Sequence, residues 1–509
     1  MKVQKFSFLV LIGIVLPSAG YAEVLHVPAE WKSIQEAIDE ASHGDTIVVA
    51  PGTYKENIYF KGKAVTVKSS HGPNRTVLDG TRSGPVVHFI FGEWLDSVLT
   101  GFTVRNGLAP QGGGVYCDGS SPTVRGNKIV LNKADIGGGI YCTQYAFPEI
   151  ADNIISQNLA TFMGAGICTV ESTPLVSGNR INANFGDGIA CAVFAVDIRF
   201  NEITDNEGSG IDLNDSWGHV KGNFISSNHE SGISLWMSDP IVANNLVHYN
   251  GDSGIRMDTC DSYAPDILNC TLVLNQADEG GGIFCLDSKP TVVNTILWDN
   301  DADTGAEIFI ESLFSTSEMD ISYSDVRDGQ GQVFVDGSSV LDWGPGMIDD
   351  PPDFAATDPV DFHLLWTSPC RDAGDSSVQG TEELDVEGDP RVYGGIVDIG
   401  ADEFSPHLYN NGELFPGGQI HAHFIGKPGS VFVGVWFSFD VLENPIQTYY
   451  GDWYLAPHIF GPVILPPIPA SGLESISEFL PLFPSTAYDL PMQGFIGDQL
   501  TNLSLIEVR

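Results

Sequence analysis

The sequence predicts a mainly β chain wound into a right-handed parallel β-solenoid, carrying an N-terminal cap helix and followed by a small C-terminal β-sandwich. Three observations carry this. A glycine followed by Val or Ile recurs every 22 to 28 residues, an asparagine recurs in step with it, and apolar residues alternate between the two.

The glycines are Gly114, Gly139, Gly166, Gly188, Gly210, Gly232, Gly254 and Gly282, spaced 25, 27, 22, 22, 22, 22 and 28 residues apart. The asparagines are Asn132, Asn158, Asn184, Asn206, Asn228, Asn250, Asn275 and Asn300. A second column stands five residues earlier: Asn127, Asn153, Asn179, Asn201, Asn223 and Asn245, then Cys270 and Thr295. Each glycine precedes an inward pair such as Ile211 and Leu213, and two further short strands add residues such as Val220 and Ile225. Three strands in so few residues leave no room for crossover helices, so each strand pairs with its equivalent one turn later. Parallel crossovers are right-handed, and the coil follows. Inward amides at equivalent corners hydrogen-bond from rung to rung, and asparagine tolerates the left-handed backbone of a sharp corner. Sugar binding by these asparagines is the competing reading.

The ends differ from the repeat. Lys2 and Lys5, the apolar run Phe6 to Leu16, Pro17 and Gly20-Tyr21-Ala22 read as a secretory signal over 1–22, with an uncleaved anchor as the alternative. The β-helix is expected over 23–404. Trp31, Ile34, Ala37, Ile38 and Ala41 fall at helical spacing and would cap the open first rung. Gly44 to Tyr54 follows as first strand and turn, and Asp361-Phe362-His363-Leu364 opens a closing segment that ends at Phe404. From 405 to 509, apolar runs broken by Pro and Gly read as the β-sandwich.

A net charge of −43 argues against nucleic acid and anionic membranes as partners and makes Ca²⁺ a plausible ligand. No later run reaches the roughly 18 apolar residues of a spanning helix, so the chain is expected to be secreted or at the cell surface without membrane insertion after signal cleavage. Among the eight cysteines, Cys117, Cys142, Cys191 and Cys285 take inward core positions. Cys168 slips one place, Cys270 replaces a ladder asparagine, and Cys260 and Cys370 stand outside the pattern, which leaves a Cys260–Cys270 bridge open.

The sharpest functional candidate is the outward face of the post-glycine strand over three rungs. It carries Asp212 and Asn214, Ser234 and Trp236, then Arg256 and Asp258, with Asp215 at the strand end. Asp212, Arg256 and Asp258 are the catalytic candidates: carboxylates act as acid and base, and arginine neutralises a substrate carboxylate. Asn214, Asp215 and Trp236 are the substrate-binding candidates, the indole offering a stacking face. The plain alternative is a surface ion pair, Asp212–Arg256–Asp258, beside an exposed tryptophan. Asp197 with Arg199 and His219 with Lys221 read as charge columns. His421 and His423 share one strand face in a metal-compatible spacing, with solvent exposure the simpler reading. Asp385, Glu387, Asp389, Asp398, Asp402 and Glu403 read first as solvated carboxylates and alternatively as a Ca²⁺ site. No metal site is assigned. Gly251-Asp252-Ser253-Gly254 belongs to the glycine column and not to a protease loop.

Together the cap-helix pattern, Gly44-Asp45-Thr46-Ile47, Pro51-Gly52-Thr53-Tyr54 and the closing Asp398-Ile399-Gly400-Ala401-Asp402-Glu403-Phe404 resemble secreted bacterial β-helix repeat proteins of the pectin-lyase-like superfamily. That resemblance implies the fold over about 23–404 and leaves activity open, since relatives include lyases, hydrolases, epimerases and adhesins. The hydrolases' paired aspartates and Gly-His-Gly do not occur; the nearest string is Gly218-His219-Val220-Lys221-Gly222. The lyases' clustered Ca²⁺-binding carboxylates with a basic residue appear only loosely. The expectation is a glycan-binding or structural protein whose partner is an extracellular polysaccharide. The alternative is a polysaccharide lyase or glycoside hydrolase.

Overall fold

A computed structural model describes residues 22–404 except 261–263, 358–359, 366, 379–383 and 393–394, and beyond them the backbone of eight strands between His407 and Val508. The expected signal segment, Ala22 apart, lies outside the described residues.

Each turn contributes three short strands, and each strand pairs in parallel with its equivalent on the next turn. Ile211, Leu213 and Val220 stand over Ile233, Leu235 and Val242, and Ile225 stands over Val247. All of them are buried in one continuous core. Third strands make a 12-stranded sheet. First and second strands share a 24-stranded sheet, because Ile189–Arg199 and Ile211–Lys221 run unbroken through the corner between them.

The coil starts earlier than the repeat suggests. Val24–Val27 pairs in parallel with Thr46–Val49, and the helix Ile34–Glu40 lies between them. Ser33 accepts from Glu36 N at the helix start, the Glu56 carboxylate accepts from Ile34 N and Gln35 N, and Ile34, Ala37 and Ile38 are buried in the coil's core.

Both asparagine columns are continuous hydrogen-bonded ladders. Asn206 Nδ2 donates to Asn228 Oδ1 at 2.9 Å and to the Ile181 carbonyl at 3.1 Å. Its own Oδ1 accepts from both Nδ2 and the backbone N of Asn184. Every polar atom of the buried amide is thereby satisfied, as burial requires. The left-handed corner residue is not the asparagine. It is the residue before it, as at Ala183, Asp205, Ser227 and Tyr249, and at Asp152, Phe200 and Asn244 in the other column. Backbone tolerance therefore does not select asparagine here; its three-way hydrogen bonding does.

The glycine column is explained by the same ladder. A Cβ at Gly210 would come within 2.6 Å of Ile225 Cγ2 and 2.9 Å of Asn228 Nδ2. Where the ladder ends, the rule inverts. Glu307 occupies the column one rung after Gly282, since Ile283 pairs with Ile308. Its carboxyl takes the missing asparagine's place, accepting from Asn300 N and, at 2.6 Å, from Asn300 Nδ2.

A third ladder, of hydroxyls, runs through the corner after the first strand: Ser216 N to Ser238 Oγ, Ser238 N to Cys260 Sγ, Cys260 N to Ser288 Oγ and Ser288 N to Ser317 Oγ. Cys260 is thus a ladder member and not outside the pattern. All eight cysteines are buried and free, so no Cys260–Cys270 bridge exists.

The closing segment does not extend the coil. Residues 354–404 double back along the outside of the third-strand sheet, where Phe362, Leu364, Ile399 and Phe404 cover the outward Leu246, Val273 and Ile296. Gly400 N donates to the Asn294 carbonyl, and Ala401 N to Thr271 Oγ1. Four of the six acidic residues expected in solvent are buried, Asp385, Asp398, Asp402 and Glu403, whereas Glu387 is exposed and Asp389 half-buried. Asp385 accepts from the backbone of Glu387, Asp389 and Glu403, and Asp398 from Asp372 and Phe404. Beyond 404 the strands pair antiparallel, among them Gln419–Ile425 with Leu473–Phe479 and Tyr488–Ile496 with Gln499–Val508. The expected packing into a sandwich, like the His421 and His423 side chains, lies outside the described residues.

Asn206→Ala should lower stability by at least about 2 kcal/mol in urea unfolding, because two donors of Asn184 lose their acceptor in the core. Thiol reagents should label the native protein slowly and all eight cysteines once it is denatured; rapid native labelling would contradict their burial.

Candidate functional site

The outward positions stack as expected. Asp212 stands over Ser234 and Ser234 over Arg256, while Asn214 stands over Trp236 and Trp236 over Asp258. These are two columns with different surroundings. Asn214 and Asp258 are half-buried, and Trp236 is 45% exposed. Asp258 accepts from Thr259 Oγ1, and Asp215 forms the left-handed corner at φ 47°. Tyr145, Phe194 and Trp217 continue the exposed aromatic surface past that corner, their rings in sequential contact.

The first column meets a groove. The glycine follows the ladder asparagine by 7 or 8 positions at 132–139 and 158–166 and again at 275–282, but by only 4 at 184–188, 206–210, 228–232 and 250–254. Long corners form an extra strand: Lys133–Ile136 pairs with Leu159–Met163 on one flank, and Gln276–Glu279 with Asp301–Thr304 on the other. Four short rungs between these walls leave a notch spanning about 19 Å of coil, at about 4.8 Å per rung. Against the second wall it holds a groove of about 940 Å³, floored by Ser234 and Arg256 and lined by Glu230, Asp252, Asp278, Glu279, Asp301 and Asp303. Phe162 and Phe185 stand exposed on the first wall's side.

Arg256 does not bridge Asp212 and Asp258. Its guanidinium lies 3.8 Å from Asp252 and 3.9 Å over the Phe284 ring. The i−4 loop residue and the next rung's aromatic reach it, whereas Asp212 lies two rungs away. Asp187 has both carboxylate oxygens on backbone amides, Ser209 N and Gly164 N. Burial pushes Asp212 up to about 6, helped by the charges of Asp187 and Glu230 and opposed by a hydrogen bond from Ser234. Burial also raises Asp187, and burial with the charges of Asp187 and Asp252 raises Glu230. The notch therefore contains coupled carboxyl groups, one of which takes up a proton near neutrality. Asp187, Glu230 and Asp252 were not among the sequence candidates. The signal that could have found them was the run of four 22-residue steps, which marks where the corner is short.

No group of three metal-ligating atoms converges in this notch among the described residues. On the second strand, Asp197 and Arg199 pair with each other at 2.8 Å and stand over His219 and Lys221.

Because folding raises the Asp212 value from 3.8 to about 6, the folded chain binds that proton more tightly than the unfolded chain. Stability from this group is then lost as pH rises through that window. Asp212→Asn should be more stable than the parent by roughly 1–3 kcal/mol at about pH 7.5, the difference shrinking toward about pH 4 in urea melts.

A family model described as right handed beta helix region matches residues 94–216 and 194–321. No curated protein matches the chain. Among solved structures, the chain is similar to the A-module of a mannuronan C-5 epimerase from Azotobacter vinelandii, at 16% identity over 63% of this chain and 94% of that one, TM-score 0.40. It is also similar to a pectate lyase, at 13% identity over 75% and 97%, TM-score 0.38. A PL6 family alginate lyase aligns at 13% identity over 78% and 62%, TM-score 0.40. At these identities and scores the three likenesses decide nothing about activity. Matched by that model over its middle turns and built of three-stranded turns paired rung on rung, the chain is a right-handed parallel β-helix protein.

Proposed function

We propose that this is an exported carbohydrate-binding protein that seats a neutral oligosaccharide in the four-rung notch. The observation that carries the reading is the notch itself: an open polar groove with hydroxyl and carboxylate acceptors on one side and exposed aromatic rings within reach. Trp236 stands two residues along the strand from Ser234, about 7 Å away, so a chain of sugars leaving the groove meets its indole. Wall-lined grooves of alternating acceptors and ring faces suit hydroxyl-rich ligands.

Charge selects among glycans. Arg256 is the one cation at the groove floor, it is already engaged by Asp252, and carboxylates surround it. A polyuronate would meet net repulsion, which disfavours lyase chemistry without a bridging cation such as Ca²⁺. The second reading is glycoside hydrolysis, favoured by Asp212, whose raised value suits a general acid beside ionised partners. No described helix is long and apolar enough to cross a membrane.

Affinity electrophoresis against neutral and uronate polysaccharides tests the reading. Retardation by a neutral glycan is expected, with binding weakened about tenfold in Trp236→Ala and abolished in Ser234→Trp, which fills the groove. Both changes are outward and should leave melting temperature nearly unchanged. Unaltered binding in both would place the ligand elsewhere; reducing-end release lost in Asp212→Asn would favour hydrolysis.

A further inference from the structure

We propose that His363, Glu387 and Asp402 form a binding site for one divalent transition-metal ion, with Zn²⁺ the ion their donor set fits best. The three come from separate parts of the closing segment: the hairpin strand Val360–Leu364, the turn after Asp385, and the segment's end. Their ligating atoms all lie within 4.8 Å of one another.

Two observations separate this trio from an ordinary acidic cluster. The first is Asp402. Its side chain is buried, Oδ2 accepts from Leu364 N at 2.9 Å, and Oδ1 is buried with no hydrogen-bond partner. A buried carboxylate oxygen without a donor calls for a cation. The second is the way His363 is held. Asp361 Oδ1 lies 2.5 Å from Nδ1, which directs Nε2 at Glu387 Oε2, 2.6 Å away. A carboxylate on one imidazole nitrogen, fixing the tautomer and aiming the other, is the arrangement that supports metal-bound histidines. Tetrahedral Zn²⁺ at about 2.0–2.2 Å from each donor would set the donors about 3.3 Å apart, so the His363–Glu387 contact opens slightly and Asp402 closes in. The imidazole disfavours Ca²⁺ and Mg²⁺, which take oxygen.

The ion would tie together three parts of the segment that covers the coil's outer face, so its effect is expected on the stability of that cover and not in the notch.

Calorimetric titration of ZnCl₂ into untagged, chelator-stripped full-length protein, with millimolar Mg²⁺ to occupy surface carboxylates, tests this. One tight site is expected in the parent, weakened at least about tenfold in His363→Gln and in Asp402→Asn, with a Zn²⁺-dependent rise in melting temperature seen only in the parent. X-ray absorption of the parent's Zn²⁺ should show one imidazole in its shell, a readout that stands even if a variant fails to fold. Equal affinity in parent and variants, weak multisite binding only, or an all-oxygen shell would each overturn the proposal.

Discussion

The stacked side-chain ladders are the constraint on which the rest depends. A coil with tight corners buries backbone amides that have no strand partner, and each needs an acceptor. The ladder asparagine provides it: one amide oxygen takes two N–H groups from the rung before, and its nitrogen reaches both neighbours. The glycine column follows, because the next rung's backbone carbonyl and the ladder amide together fill the space a Cβ would need. Glu307 shows the dependence from the other side, entering the column where the next asparagine is missing. Cys270, Thr295 and Ser324 keep one ladder going with smaller groups, each accepting from the amide of the rung before or passing the chain on.

With the interior so fully determined, variation is pushed outward, and the informative variation is length. Adding three or four residues between asparagine and glycine leaves the ladders untouched and raises an extra strand on the outside. Where four successive corners lack them, the floor of the sheet is open, and that floor carries Ser234 and Arg256. The short corners themselves carry Asp187, Glu230 and Asp252, whose charges add to burial in raising Asp212 and Glu230. The site is a consequence of omission in the repeat.

The outer face of the third-strand sheet has the opposite fate. Leu246-Val247, Leu272-Val273 and Ile296-Leu297 are apolar on both faces, and the closing segment covers the outward member of each pair. Its carboxylates then serve as internal acceptors for backbone amides, so part of this chain's acidity is structural and not a solvated surface.

Periodicity made the rungs, the ladders and the inward cysteines readable, because one pattern repeated over eight units specifies strand register without any knowledge of distant contacts. The stacking of Asp212, Ser234 and Arg256 was legible for the same reason. Arg256's true partner was not: the preference for Asp252 and Phe284 over Asp212 and Asp258 depends on side-chain reach across a corner. Nor was the left-handed residue, which lies one place before the asparagine where side-chain identity varies freely. The burial of Asp385, Asp398 and Asp402 was decided by tertiary structure alone. It arises from contacts between residues such as Thr271 and Ala401, 130 positions apart and occurring once, and a single non-local contact leaves no period in the sequence to read.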